Sequence, residues 1–286
     1  MQGRIEMFRP DFLVIGHVTK DLQKEGYTIG GTVTFASLTA RNLEQRTAVV
    51  TRASSDLNFD PLYQGIEVLR LASPVTSTFQ NLYSTDGTRI QYLRAVADPI
   101  KAEDIPSAWR GAKVVLLGPL TNELEKGIAK VFSHSLVGVT PQGWMRRWDG
   151  DGRVFPKPWE GAAEVLNDAR VVVFSENDVQ KDEGVIQAYA RLAKILVVTK
   201  GAKGATVYHR GEVRHFPAFE TVEVDPTGAG DVFAAAYLIE LERSGDLYAA
   251  AHFANCVASF SVEKPGTEGI PTLEQVEKRL ASVENW

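Results

Sequence analysis

The chain reads Asp225-Pro226-Thr227-Gly228-Ala229-Gly230-Asp231 and then, without interruption, Val232-Phe233-Ala234-Ala235-Ala236-Tyr237-Leu238-Ile239-Glu240. A turn of small residues opens directly into a helix, with a carboxylate at the junction. The first N–H groups of a helix lack intrahelical acceptors and carry the positive end of the macrodipole, so this junction suits a phosphate. Glycine at positions 228 and 230 leaves the backbone open to an anion. Asp231 then lies beside the phosphate, placed to take a proton from an attacking hydroxyl. The same dipole predicts that Asp231 stays ionised. A plain loop with Asp231 as a helix cap would share this pattern. Asp225 and Thr227 add oxygen donors within one turn, however, and the helix that follows is apolar almost all round, as a buried helix is.

Working outward, short β-branched runs alternate with helical segments. Phe12 to Gly16, Thr47 to Thr51, Val114 to Gly118, Leu136 to Thr140, Val171 to Phe174 and Ile195 to Thr199 read as strands. Thr34 to Leu43, Asn122 to Phe132, Trp159 to Leu166 and Asp182 to Leu192 read as helices. This alternation with continuously apolar strands predicts an α/β fold with a mostly parallel sheet covered on both faces. Ligands in such folds bind beyond the carboxyl ends of the strands. One region departs from the pattern. Phe79 to Tyr83, Ser84-Thr85-Asp86-Gly87 and Thr88 to Arg94 read as a hairpin, either a small lid or an edge extension of the main sheet.

The bulk properties narrow the class. The 286 residues suffice for one domain with an insertion, at 44% hydrophobic and 23% charged residues. A net charge of −5 with no basic block argues against a nucleic-acid surface. The single Cys256 excludes an internal disulfide and suits a reducing compartment. Met1 to Pro10 has no apolar segment of the signal-peptide kind, and the uncharged run Leu247 to Val262 is too short and polar to span a bilayer. These features predict a cytoplasmic protein with no membrane partner.

The segment Val224 to Phe233 resembles the C-terminal signature of the ribokinase-like (PfkB) carbohydrate kinases. That resemblance implies a three-layer α/β/α fold with a small β lid. It makes residues 1–286 one kinase domain, with lid segments at about 17–31 and 77–97. It also makes Asp231 the catalytic base and Gly228, Ala229 and Gly230 its anion hole. Gly30-Gly31 resembles the diglycine that meets the sugar, and Asp21 the acid that binds substrate hydroxyls. Thr199-Lys200-Gly201 with Gly204 resembles the strand end beside the nucleotide, and Asn255 a position bordering the adenine. Within the family, Gly30 to Phe35, Asn81 to Ile100, Gly118 to Glu123 and Gln142 to Arg146 are most similar to the myo-inositol-kinase-like branch. Gln142, just after a strand, faces either substrate or solvent.

One departure concerns the metal. Where many relatives carry Asn-x-x-Glu, this chain has Ser175-Glu176-Asn177-Asp178. Asp178 and Glu176 are the candidate carboxylates for Mg²⁺, which keeps several waters and leans on substrate phosphates. Ser175 is either a hydroxyl partner or a helix cap. Asp225 and Thr227, with backbone near Gly266, are the candidates for a monovalent cation, K⁺. No Gly-x-x-x-x-Gly-Lys-Ser/Thr loop is present, and the histidines are scattered. Arg146 and Arg147 read either as a solvated pair or as phosphate ligands.

The implied reaction is phosphoryl transfer from ATP to a hydroxyl of a sugar, cyclitol or nucleoside. Two alternatives stay open: a vitamin-type kinase acting on a pyridoxal-like or hydroxymethylpyrimidine alcohol, and a non-catalytic binding module on the same fold. The resemblance also suggests a homodimer, although a short first lid segment, His17 to Ile29, suits a monomer equally.

Overall fold

The computed structural model describes residues 8–59, 61–83 and 89–282. The chain order opens with β1 (Phe12–Ile15), β2 (Thr19–Leu22), β3 (Tyr27–Gly30), helix α1 (Thr32–Asn42), β4 (Thr47–Ala53) and β5 (Glu67–Ala72). It continues with β6 (Ser77–Tyr83), β7 (Arg89–Ala95), β8 (Val114–Leu117), β9 (Leu136–Val139), β10 (Arg146–Trp148) and β11 (Val154–Pro156). Then come α2 (Ala162–Asp168), β12 (Val171–Ser175), α3 (Glu183–Leu192), β13 (Leu196–Thr199), β14 (Ala205–His209) and β15 (Glu212–Phe216). The chain closes with α4 (Ala229–Ser244), α5 (Leu247–Ser261) and α6 (Leu273–Ser282).

The main sheet has nine strands in the order β15-β14-β13-β12-β9-β8-β1-β4-β5. From β13 to β5 every neighbouring pair is parallel; β14 and β15 complete the sheet antiparallel. Side chains alternate across each strand, so the sheet feeds two cores. Phe12 and Val14 pack with α1, α4, α5 and α6 on one face. Leu13 and Ile15 pack with α2, α3 and the Trp109 region on the other. Helix α4 is buried from Val232 to Leu241, which is why its sequence carries no polar stripe. Helices thus cover both sides of a mostly parallel sheet.

A second, four-stranded sheet, β3-β2-β6-β7, lies apart from the main one. It is reached by two excursions of the chain, after β1 and after β5. The turn expected at Ser84 to Gly87 lies outside the described residues. The β10–β11 hairpin abuts this sheet: the Leu93 N–H donates to the Gly152 carbonyl at 2.7 Å, and Tyr92 bridges Arg153.

Two helix expectations need correction. Asn122 to Phe132 forms only a 3-10 turn at Ile128–Val131. Asn122 (φ 62°) and Gly127 (φ 78°) adopt left-handed backbone, which no helix accommodates. Glu123 is buried and spends its carboxylate on the N–H groups of His17, Leu120 and Thr121. The second helix, expected from Trp159, begins instead at Ala162, because Gly161 is left-handed at its N-cap.

Candidate active site

The carboxyl ends of the central strands open into a cleft of about 1200 Å³ between the main sheet and the four-stranded one. It brings together Asp21, Gly31, Asn81, Gln142, Asp178, Thr199, Gly201, Gly204, Asp225, Thr227, Gly228, Ala229, Gly230, Asp231 and Asn255. Gly30 and Glu176 are not among its lining residues. Glu176 lies 3.9 Å from the Lys181 ammonium. Gly30 matters from behind, since a side chain there would collide with the Asp21 carboxylate.

Gly228 caps α4 with φ 76°, a left-handed backbone that favours glycine. A β-carbon at this position would fall inside the Phe35 ring. The loop before it is held by Asp225, whose carboxylate accepts the Thr227 N–H at 3.0 Å and the Gly266 N–H at 2.8 Å. Of the four N–H groups from Gly228 to Asp231, two are spent inside the loop. Ala229 N–H donates to the Pro226 carbonyl and Asp231 N–H to the Gly228 carbonyl. Among the described residues, Gly228 and Gly230 are the two N–H groups of this loop that have no protein acceptor.

Asp231 is the third residue of α4, and its carboxyl is pushed up to about 6. Burial is the main cause, and the Asp178 charge adds to it; a hydrogen bond from the Thr32 hydroxyl and the Arg146 charge act in the opposite sense. Desolvation outweighs the favourable helix end, so the carboxyl ionises less readily than the helix dipole alone would make it. At pH 7 the group is still mostly ionised, while remaining basic enough to accept a proton.

Asp178 follows β12 in a 3-10 turn capped by Ser175. The Ser175 hydroxyl accepts the Asn177 N–H at 3.2 Å, and Asp178 Oδ2 accepts the Ser175 N–H at 3.0 Å. Asp178 Oδ1 accepts from the Gln142 amide at 3.1 Å. Asn81 accepts from Gln91 at 3.0 Å across β6 and β7. Thr19 donates to Asp21 at 3.1 Å. One half of the cleft is thus walled by amides, hydroxyls and carboxylates.

On the other half, Thr199 ends β13, and Gly204 (φ 91°) makes a turn so tight that a β-carbon would strike the Phe216 and Ala218 backbone. The Asn255 amide donates to the Phe216 and Pro217 carbonyls, both at 3.1 Å. It therefore ties the strand end to α5 while lining the cleft.

Arg146 does not behave as half of a solvated pair. On β10 the alternation turns it into the cleft, facing Asp231, while the exposed Arg147 stacks on Phe155. Thr32 and Phe35 also escaped the reading for individual roles. The available signal for Thr32 was its position as the first helical residue after the diglycine. Its contact with Asp231 joins distant parts of the chain and leaves no trace in sequence spacing.

Among the described residues no cluster of three or more His, Cys, Asp or Glu could hold a metal ion by itself. Asp21, Asp178, Glu220, Glu223, Asp225 and Asp231 outnumber Arg146, the one lysine or arginine lining the cleft. A polyanion therefore meets a repulsive field here unless it brings a divalent cation. One carboxylate such as Asp178, together with oxygens of a bound polyphosphate, would suit Mg²⁺. Among the described residues no helix is long and apolar enough to cross a membrane.

Residues 164–273 match the family described as pfkB family carbohydrate kinase. A probable fructokinase-5 of Arabidopsis thaliana is 30% identical over 139 residues, 43% of this chain and 43% of that protein. An inositol 3-kinase of Arabidopsis thaliana is 24% identical over 250 residues, 84% of this chain and 69% of that protein. The chain spans less than half the length of the curated relatives that it matches at 30% identity or better. A pyrophosphate-dependent kinase in the ribokinase family, solved with a pyrophosphate analog and myo-inositol, superposes with a TM-score of 0.80 over 94% of this chain and 99% of that one. At 23% identity that likeness carries the fold.

Proposed function

We propose that this chain, a member of the pfkB family of carbohydrate kinases with a ribokinase-like fold, moves the γ-phosphate of ATP to a hydroxyl of a sugar, a cyclitol of the myo-inositol kind or a nucleoside. The observation that carries this reading is the carboxyl of Asp231, raised to about 6 at the N-terminus of a buried helix and facing a wall of hydroxyl-binding groups. A binding module would not require a base at that point. No observation favours a pyridoxal or hydroxymethylpyrimidine acceptor over a polyol.

In the proposed reaction Asp231 accepts the proton of the acceptor hydroxyl as its oxygen attacks phosphorus. A positioned base contributes about 10²–10⁴-fold. The Gly228 and Gly230 N–H groups receive charge growing on the transferring phosphoryl group, where each such donor is worth about 3–4 kcal/mol. Asp21, Asn81 and Gln142 hold the acceptor, and Arg146 faces the reacting end. Thr199, Gly201, Gly204, Thr227 and the Asn255 backbone region hold the nucleotide. Asp178 would hold Mg²⁺ together with the donor oxygens, and the ion would neutralise phosphate charge. Asp225 and Thr227, beside Gly266, are the residues a K⁺ ion would meet. The four-stranded sheet serves as the lid that excludes water from the acceptor.

The test is product formation from Mg-ATP, and separately from pyrophosphate, with myo-inositol, ribose, fructose, 2-keto-3-deoxygluconate and nucleosides. Turnover of one acceptor that Asp231→Asn loses is the expected result. ATP binding without turnover of any acceptor would favour the binding module. Absence of ATP binding by calorimetry would overturn the kinase reading. KCl against NaCl in the same assay reads the monovalent cation.

A further inference from the structure

The main sheet and the four-stranded sheet are joined by four chain crossings: 16–18, 31, 73–76 and 96–101. His17 lies in the first crossing and is fully buried. Its ring Nε2–H donates to the Asp98 carbonyl, in the fourth crossing, at 2.9 Å. Its Nδ1 pairs with the hydroxyl of Ser77, where the third crossing enters β6, at 2.8 Å. Ser77 Oγ in turn accepts the Ala97 N–H at 3.0 Å, closing the third crossing onto the fourth. The second crossing is Gly31, and a β-carbon there would lie 2.5 Å from the His17 carbonyl oxygen. Residue 17 therefore touches three of the four passages and the strand end into which the remaining one leads.

His17 is itself anchored to the main body. Its N–H donates to buried Glu123 at 3.1 Å, and that carboxylate also takes the Leu120 and Thr121 N–H groups at the end of β8. Thr121 Oγ1 lies 3.3 Å from His17 Nδ1. A buried polar group left without its partner is destabilising, because it has lost its water without gaining a hydrogen bond. The ring thus ties Asp98 in the fourth crossing to the start of β6 and to the end of β8, and resists displacement of one against another.

We propose that His17 is the positioning residue of the four-stranded sheet, the pin that sets the orientation of that sheet over the acceptor half of the cleft. The pin stands on the contacts above. Its consequence for transfer rests on the phosphotransferase reading. With the pin intact, Asp21, Asn81 and Gln91 reach the acceptor as one rigid set. Without it, the sheet samples several orientations, and water competes with the acceptor.

The experiment has two arms. In the first, spin labels are placed at Lys24→Cys, in the exposed β2–β3 turn, and at Gln187→Cys on the exposed side of α3; Cys256 is buried and stays unlabelled. The distance distribution is expected to be narrow with His17 present, to broaden or shift in His17→Ala, and to narrow again in His17→Gln, whose amide restores a donor to Asp98. In the second arm, transfer to the acceptor is compared with hydrolysis of the donor. His17→Ala is expected to raise the acceptor KM and the hydrolysed fraction about tenfold while leaving the donor KM within about twofold. Ser77→Ala, which removes the ring's contact to β6 together with the acceptor of the Ala97 N–H, takes the place of His17→Ala if that variant does not fold. An unchanged distance distribution overturns the pin, whatever the assay shows. A broadened distribution in a protein that transfers no phosphate upholds the pin and counts against the kinase reading alone.

Discussion

The Thr32 hydroxyl donates to the Asp231 carboxylate, joining the N-terminal turns of α1 and α4 from opposite ends of the chain. Thr32 is itself locked, because its methyl fills the space beside Gly118 at the end of β8, where a β-carbon would collide with it. The proposed base is therefore held by the same contact that packs the diglycine helix against the sheet.

Asp231→Asn is expected to cut turnover by about 10²–10⁴-fold while stabilising the fold. The folded pKa of about 6 lies above the ordinary 3.8, so the folded protein binds this proton more tightly than the unfolded chain. Wild-type stability is thus lost as pH rises from about 4 to about 6, up to about 3 kcal/mol in all. Thermal unfolding at several pH values should show the variant more stable above pH 6 and equal to wild type below pH 4.

The acid limb of kcat/KM for the free enzyme should have its midpoint near the Asp231 value of about 6. Thr32→Val removes a hydrogen bond to the charged form and Arg146→Gln removes a favourable charge. Both should move the limb to higher pH. A limb unmoved in both variants would mean that Asp231 does not set it.

Asp178→Asn should move the same limb the other way, because it removes a neighbouring negative charge. It should also weaken the response to Mg²⁺, seen as a higher Mg²⁺ concentration at half-maximal rate. EDTA is expected to abolish turnover, and added Mg²⁺ to restore it. The opposite directions at positions 32 and 178 separate electrostatic effects from general damage.

Gly228→Ala should destabilise by about 2–5 kcal/mol, combining left-handed strain with overpacking against Phe35. Adding Phe35→Ala should recover the packing part and leave the strain. Urea unfolding of the two single variants and the double variant would read that coupling. Strict additivity would mean that the ring is not the obstacle.

The parts of the fold that were legible in sequence are those governed by local pattern. The apolar strands of the parallel sheet and the helix Ala229–Ser244 declare themselves because strands buried on both faces, and a helix buried all round, leave no room for polar residues. The segment after β8 misled, since Asn122 to Phe132 has helical composition while Glu123 is drawn into the core by backbone donors that only the fold supplies. Arg146 misled for the same reason: strand alternation separates it from Arg147, but the strand exists only because β10 meets β11.

What the sequence determined by itself is the ribokinase-like fold and the loop from Asp225 to Asp231, because turn, helix start and buried helix are set by residues adjacent in the chain. The environment of that loop was decided by tertiary structure alone. Thr32, Arg146 and Asp178 reach Asp231 from α1, β10 and the turn after β12, and burial there raises a carboxyl that the helix end alone would keep low. Desolvation and charge act through space, and only the folded chain sets those distances.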